Sequence, residues 1–166
     1  VAVRVDMGRP ILKGLQVPTA IDRERVVEEP VEVDGVRFRF PAVSMGNPHA
    51  VIQVEDASSF PVEVWGPRLE THPLFPQRTN VEFITVRSPR EIDMRVWERG
   101  VGQTLACGSG ACAALVASVL AGKAEREATV HLLGGDLYIR WDEKSDRVFM
   151  TGPAEYVFEG KWLGPE

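Results

Sequence analysis

Residues 109–121, SGACAALVASVLA, constrain the fold more than any other stretch of the chain. At helical spacing every face of this segment is apolar or small, and a helix with no polar face is buried on all sides. Thirteen residues rise only about 20 Å, too little to cross a hydrocarbon core of roughly 30 Å. The rest of the chain must therefore enclose this helix. A chain of 166 residues can do so unaided, since a domain of that size buries about two-thirds of its unfolded surface without disulfides or metal. Gly122 stands where a helix commonly ends in the left-handed conformation.

The enclosing material reads as strands. Residues 31–40 alternate as V-E-V and V-R-F-R-F across Asp34-Gly35, a strong hairpin signal. Further strands are expected near 42–45, 49–55, 79–86, 92–98, 127–133, 136–141 and 147–150, with a last one near 155–159. Gly134-Gly135 and residues 142–146 read as turns of a second meander. Residues 61–71, PVEVWGPRLET, read as an amphipathic helix with Gly66-Pro67 as its weak point. Strands are not expected to alternate with helices, which argues against a doubly wound parallel sheet. The fold class expected is α+β, an antiparallel or mixed β-barrel wrapped around one buried central helix. The chain opens inside an alternating run, Val1-Ala2-Val3-Arg4-Val5-Asp6, which reads as a piece of something longer.

Charge and cysteine usage narrow the function. Asp and Glu number 24 against 19 Lys and Arg, a net charge of −5, so no basic face for nucleic acid is expected. No apolar run approaches the ~18 residues of a membrane helix. Two cysteines do not make a secreted disulfide scaffold, and a reducing, cytoplasmic setting is expected. A bond between Cys107 and Cys112 is not expected, because five helical residues turn them ~140° apart with ~7.5 Å of rise.

The densest chemical signal is RVWERGVGQTLACGSGACAA at 95–114. A strand ends in Glu98-Arg99, a Gly-x-Gly turn follows, and Cys107-Gly108-Ser109-Gly110 opens the apolar helix. Unpaired N–H groups and partial positive charge make a helix start an anion cradle. The same field is expected to lower the Cys107 thiol toward neutrality. Gly108 and Gly110 leave room for a ligand to approach the backbone, and Arg99 can clamp a carboxylate. A base, an anion cradle and a cation are what deprotonating an amino acid beside its carboxylate requires. Cys112, inside the helix, is read as core. Two other clusters stand out: Gly46-Asn47-Pro48-His49, an amide and an imidazole at one strand end, and Arg78-Thr79-Asn80, a polar residue opening an apolar strand.

Three other readings compete. Gly108-Ser-Gly110-Ala-Cys-Ala113 fits G-x-G-x-x-A, yet Glu125 and Glu127, near the required acidic spacing, read as a charged turn. A cysteine hydrolase would use Cys107 as nucleophile and His49 as base, but no third, orienting group is evident. A binding module that turns nothing over is the third. His72 and His131 show no ligand spacing with the cysteines, so no metal is expected.

Together, GNPHAV at 46–51, RTNVEF at 78–83 and WERGVGQTLACGSGACA at 97–113 resemble the second-half motifs of the diaminopimelate epimerase family. VDMGRP at 5–10 resembles that family's crossover into its second domain. The resemblance implies a cofactor-free, PLP-independent amino-acid isomerase of two similar halves, with one catalytic cysteine from each half at the cleft between them. It implies that residues 1–166 are one domain, the C-terminal half, with 152–166 packing toward the first half. A second copy of the chain is the other partner it suggests. Matched one by one, Cys107 is the catalytic cysteine, and Gly108 and Ser109 hold the substrate α-carboxylate. Asn47, Asn80, Glu98 and Arg99 bind the distal amino-acid end or assist the thiols. His49 stands near the other half's cysteine and Glu98 near this one. At Gln103 the family usually carries Glu. Within the same fold, a proline racemase relative is the alternative.

Overall fold

A computed structural model describes residues 1–165. The alternation at 31–40 belongs to a hairpin, β2 (Val26–Val33) and β3 (Val36–Ser44), turned at Asp34 and Gly35. Both turn residues have positive φ, 49° and 79°, as a two-residue turn matched to the strand twist requires. Strand β4 (Pro48–Gln53) returns antiparallel to β3. Helix α1 (Val62–Glu70) then leads to β5 (Asn80–Ser88), which pairs parallel with β4. The helix runs through Gly66-Pro67 without a break. Cβ at Gly66 would fall within 2.4 to 2.7 Å of Trp97 atoms, so only glycine lets the tryptophan lie flat on the helix.

Strand β6 (Glu91–Glu98) is antiparallel to β5. It turns into β7 (Gly102–Thr104), a short strand the glycine-rich sequence does not announce. Helix α2 (Gly108–Leu120) follows, then β8 (Glu127–Leu132), which is parallel to β6. Strands β9 (Gly135–Trp141) and β10 (Val148–Pro153) form the second meander. Strand β1 (Ala2–Asp6) closes the order against β10. Both parallel pairs are thus helix crossovers, contrary to the expectation that strands and helices would not alternate. The remaining pairings are antiparallel, which keeps the class α+β with a mixed sheet.

The sheet is open, with the order β1-β10-β9-β8-β6-β5-β4-β3-β2 and β7 beside β6. The expected closed barrel is therefore not what the hydrogen bonds form. Residues 7–11 cross between the sheet's two ends with single contacts in place of a ladder. Met7 N–H donates to Val148, Val148 N–H to Gly8, and Ile11 and Ser44 exchange bonds. The expected strand at 155–159 is also absent. Both edges of β10, the strand they follow, are already taken by β1 and β9, and Tyr156, Val157 and Phe158 run on outside the sheet and are exposed.

The all-apolar helix lies where its composition demands. Residues of α2 from Gly110 to Ser118 are buried, against side chains from β3 to β10 that include Val43, Ile84, Met94, Val130 and Ile139. A second apolar cluster fills the opposite face of β2 to β5, where Phe40, Ile52, Phe83 and Leu69 of α1 meet. Period-two alternation divides the strands between these layers: Val81 and Phe83 face α1, while Ile84 faces α2. No helix among the described residues is long and apolar enough to cross a membrane.

Candidate active site

The start of α2 organises the site. Cys107 is its N-cap, with extended backbone (φ −145°, ψ 105°), and its Sγ accepts the Gly110 N–H at 3.3 Å. Ala111 N–H returns to the Cys107 carbonyl, which leaves the Gly108 and Ser109 amides with no intrahelical acceptor. The anion cradle expected from the sequence is present as geometry. The expected lowering of the thiol is not: burial first, and then the negative Glu82, push Cys107 up to about 11, outweighing the Ser109 and Gly110 donors. The reason is tertiary, since Cys107 is only 8% exposed. Cys112 is fully buried and is pushed up to about 12 by burial, as a core residue should be.

A hydrogen-bond chain runs from β5 to the thiol. The parallel register sets His49 beside Asn80 and Val51 beside Glu82, which brings His49 and Glu82 together on the α2 side. His49 Nδ1 lies 2.5 Å from Glu82 Oε1, and both side chains are fully buried. His49 Nε2 lies 3.0 Å from Asn47 Oδ1, and the Asn47 amide donates to Ser109 Oγ at 3.3 Å. Ser109 Oγ is 3.7 Å from Cys107 Sγ. His49 thus reaches the sulfur only through Asn47 and Ser109, with both ring nitrogens engaged, which removes the nucleophile–base contact a cysteine hydrolase needs.

The other expected residues form a neighbouring group. Asn80 donates to the Pro48 carbonyl at 3.0 Å and accepts the Arg99 N–H at 2.8 Å, tying the β4 and β6 ends together. The Arg99 guanidinium donates to the Gln77 carbonyl at 3.1 Å, so it borders this group and not the thiol. Glu98 accepts the Thr104 hydroxyl across the β6–β7 turn. Its charge acts on both Cys107 and Glu82. Gln103 accepts from Arg95 at 2.9 Å, a turn contact that a Glu there would make as an ion pair. The G-x-G-x-x-A reading fails on Glu127, which opens β8 and pairs with Arg90 instead of closing the strand.

Two buried carboxylates escaped the sequence. Glu82 was hidden in N-V-E-F, where alternation makes a Glu look outward-facing. Glu70 accepts from Trp97 Nε1 at 2.9 Å and from the Gly100 amide at 2.7 Å, fixing the Gly-x-Gly turn. The one usable signal for Glu82 is its place two residues past Asn80, on the same face of the strand as that polar residue.

The diaminopimelate epimerase family profile matches residues 41–157. Curated relatives with that name include one from Desulfitobacterium hafniense, 62% identical over 97% of this chain and 56% of its own length. Another, from Acetivibrio thermocellus, is 58% identical over 96% of this chain and 57% of its own. A third, from Methanococcus maripaludis, is 52% identical over 97% and 58%. The chain spans a little more than half the length of these relatives. Among solved structures, a probable proline racemase from Agrobacterium radiobacter matches 99% of the chain and 54% of its own length, with TM-score 0.64 and 16% identity. A predicted epimerase from Pseudomonas aeruginosa matches 95% and 59%, with TM-score 0.57 and 15% identity. The structures support the fold, and the sequence relatives carry the stronger conclusion: this chain belongs to the diaminopimelate epimerase family.

Proposed function

We propose that this chain is the C-terminal half of an enzyme that interconverts LL- and meso-diaminopimelate, on the route to lysine and peptidoglycan precursors, without a cofactor. The observation that carries this is the Cys107 thiol at the start of α2, beside the Gly108 and Ser109 amides that have no intrahelical acceptor. A substrate α-carboxylate bound there sets its α-carbon beside Sγ. In one direction the Cys107 thiolate takes the α-proton, and a second thiol on the opposite face returns a proton to the carbanion. In the other direction Cys107 is the donor. Cys112 cannot be that second thiol, since it lies in the core on the same helix. The second cysteine comes from the first half.

Asn47, Asn80, Glu98 and Arg99 supply polar groups for the distal amino-acid end, with Glu98 and His49 adjusting the thiols. The exposed Tyr156, Val157, Phe158, Trp162 and Leu163 offer an apolar surface for the rest of the protein, with a second copy of the chain as the other occupant. Both cysteines are free thiols, in keeping with a cytoplasmic setting.

The test uses a protein of the relatives' full length that contains this chain. In deuterated water it should place label at the α-carbon of diaminopimelate. Label entering proline and not diaminopimelate would overturn the substrate assignment, and turnover by this chain alone would overturn the half-site.

The carboxylate cradle gives a separate expectation. Ser109→Pro removes a backbone donor, so KM should rise about tenfold or more, the loss of one charge-assisted bond. Ser109→Ala keeps the amide and breaks the link between Asn47 and Cys107, so it should act mainly on kcat. Steady-state kinetics of the two variants check this, and equal rises in KM would assign carboxylate binding to the hydroxyl.

A further inference from the structure

Glu82 is the least expected group in the molecule. It is fully buried on the α2 side of β5, and while Oε1 meets His49, Oε2 has no hydrogen-bond partner among the described residues. A buried carboxyl with an orphaned oxygen works against folding, and an amide or apolar residue would fill the same volume at lower cost.

The hydrogen-bond directions around it show what it does. Asn47 turns its amide nitrogen to Ser109 Oγ, so the atom facing His49 Nε2 is a carbonyl oxygen, which only accepts. His49 Nε2 therefore carries a hydrogen. The contact between Nδ1 and Oε1 then holds one proton in either of two places. A carboxylic acid donates to a neutral ring, or an imidazolium donates to a carboxylate. Both states are net neutral, and both leave Nε2 a donor. From there every link donates onward: Nε2 to Asn47, Asn47 to Ser109, and the Ser109 hydroxyl to Cys107 Sγ, where the Gly110 N–H also arrives. Two donors converging on sulfur favour the thiolate.

We infer that Glu82 is a positioning residue, one that shares a proton with His49 and thereby sets the direction in which the chain through Asn47 and Ser109 donates to Cys107. If that proton leaves, the ring keeps its remaining hydrogen on Nδ1 against the carboxylate. Nε2 becomes an acceptor, the Asn47 amide turns over, and the Ser109 hydroxyl swings from the sulfur to Asn47. The charged or titratable groups acting on Glu82 are His49 from β4, Glu98 from β6 and Cys107 at the start of α2. Burial raises the Glu82 carboxyl, and the negative Glu98 acts in the same sense, so both favour keeping the shared proton at neutral pH.

The inference rests on the epimerase reading for its kinetic arm only. In the full-length protein, Glu82→Gln keeps the shape and removes the ionisation. Its amide donates to Nδ1 as the carboxylic acid does and has no proton to lose, so the chain stays in its donating direction: the alkaline limb of the kcat profile for diaminopimelate should flatten, with KM within threefold across the range. Its melting temperature should not fall, since the interior loses an ionisable group. A profile whose alkaline limb keeps its wild-type shape, or a kcat lowered tenfold or more at neutral pH where the donating direction is retained, would overturn the inference. A wild-type protein inactive on diaminopimelate would instead overturn the proposed function. The second arm needs no substrate: ¹⁵N resonances of His49 in the wild-type protein should show Nε2 protonated at neutral pH. A ring protonated on Nδ1 alone sinks the inference whatever the kinetics.

Discussion

Cys107→Ala in the full-length protein is expected to lower kcat/KM for diaminopimelate by at least about 10³-fold, the upper part of what a positioned acid–base group contributes. Cys107→Ser should be nearly as severe, since a hydroxyl ionises far less readily than a thiol. Cys112→Ala is the control: it sits fully buried five residues along α2 and should cost packing while the chemistry continues. Alkylation adds a check on the thiol itself. With its pKa pushed up to about 11 from 9.0, Cys107 carries less thiolate at neutral pH than a free cysteine. Its alkylation should therefore be slow near neutrality and climb until the pH approaches that value. Fast labelling at neutral pH would mean that the helix start outweighs burial. Epimerase activity surviving in Cys107→Ala would remove the assignment altogether.

Gly110→Ala is expected to damage stability and turnover together, against the grain of helix propensity. Alanine inside a helix is favoured over glycine by roughly 1 kcal/mol. Here the added Cβ would stand 2.8 Å from Glu82 Oε1 and 3.1 Å from Cys107 Sγ. Neither neighbour can yield cheaply: the carboxyl is buried against His49, and the sulfur caps the helix through the Gly110 amide. Overpacking of this kind typically costs about 1–3 kcal/mol, enough to cancel the propensity gain or exceed it. Displacing either atom also breaks the chain to the thiol, so kcat should fall tenfold or more. Denaturant unfolding and turnover of the full-length variant measure the two effects. A variant as active as the wild type would show that the site tolerates a methyl between carboxyl and sulfur.

What could be read before the structure was whatever one segment specifies alone. The apolar run of α2 requires burial on all sides, and Asp34-Gly35 specifies its own turn. Cys107 could be placed at a helix start because Gly108-Ser109-Gly110 follows it. The sign of its pKa shift could not, because burial by other strands outweighs a local helix field. Glu82 was illegible for a related reason: V-E-F alternation implies a solvent face, whereas both faces of β5 are covered, one by α1 and one by α2. The strand expected at 155–159 failed because alternation says nothing about whether a partner edge is free. Closure is not legible at the same level, since it depends on which strands end the sheet, and the hydrogen-bonded order here is open.

The enclosure of α2 also sets the order in which this protein can safely be made. The helix packs against β3, β4, β5 and β6, which precede it, and against β8, β9 and β10, which follow it. During synthesis SGACAALVASVLA emerges while the strands for its remaining sides are still untranslated. A helix without a polar face then shows bare hydrocarbon to its surroundings, on a chain whose native pairings span long stretches of sequence and form slowly. The interval between emergence of Leu120 and arrival of β10 is the period of greatest exposure to aggregation, and the one in which a chaperone has most to cover.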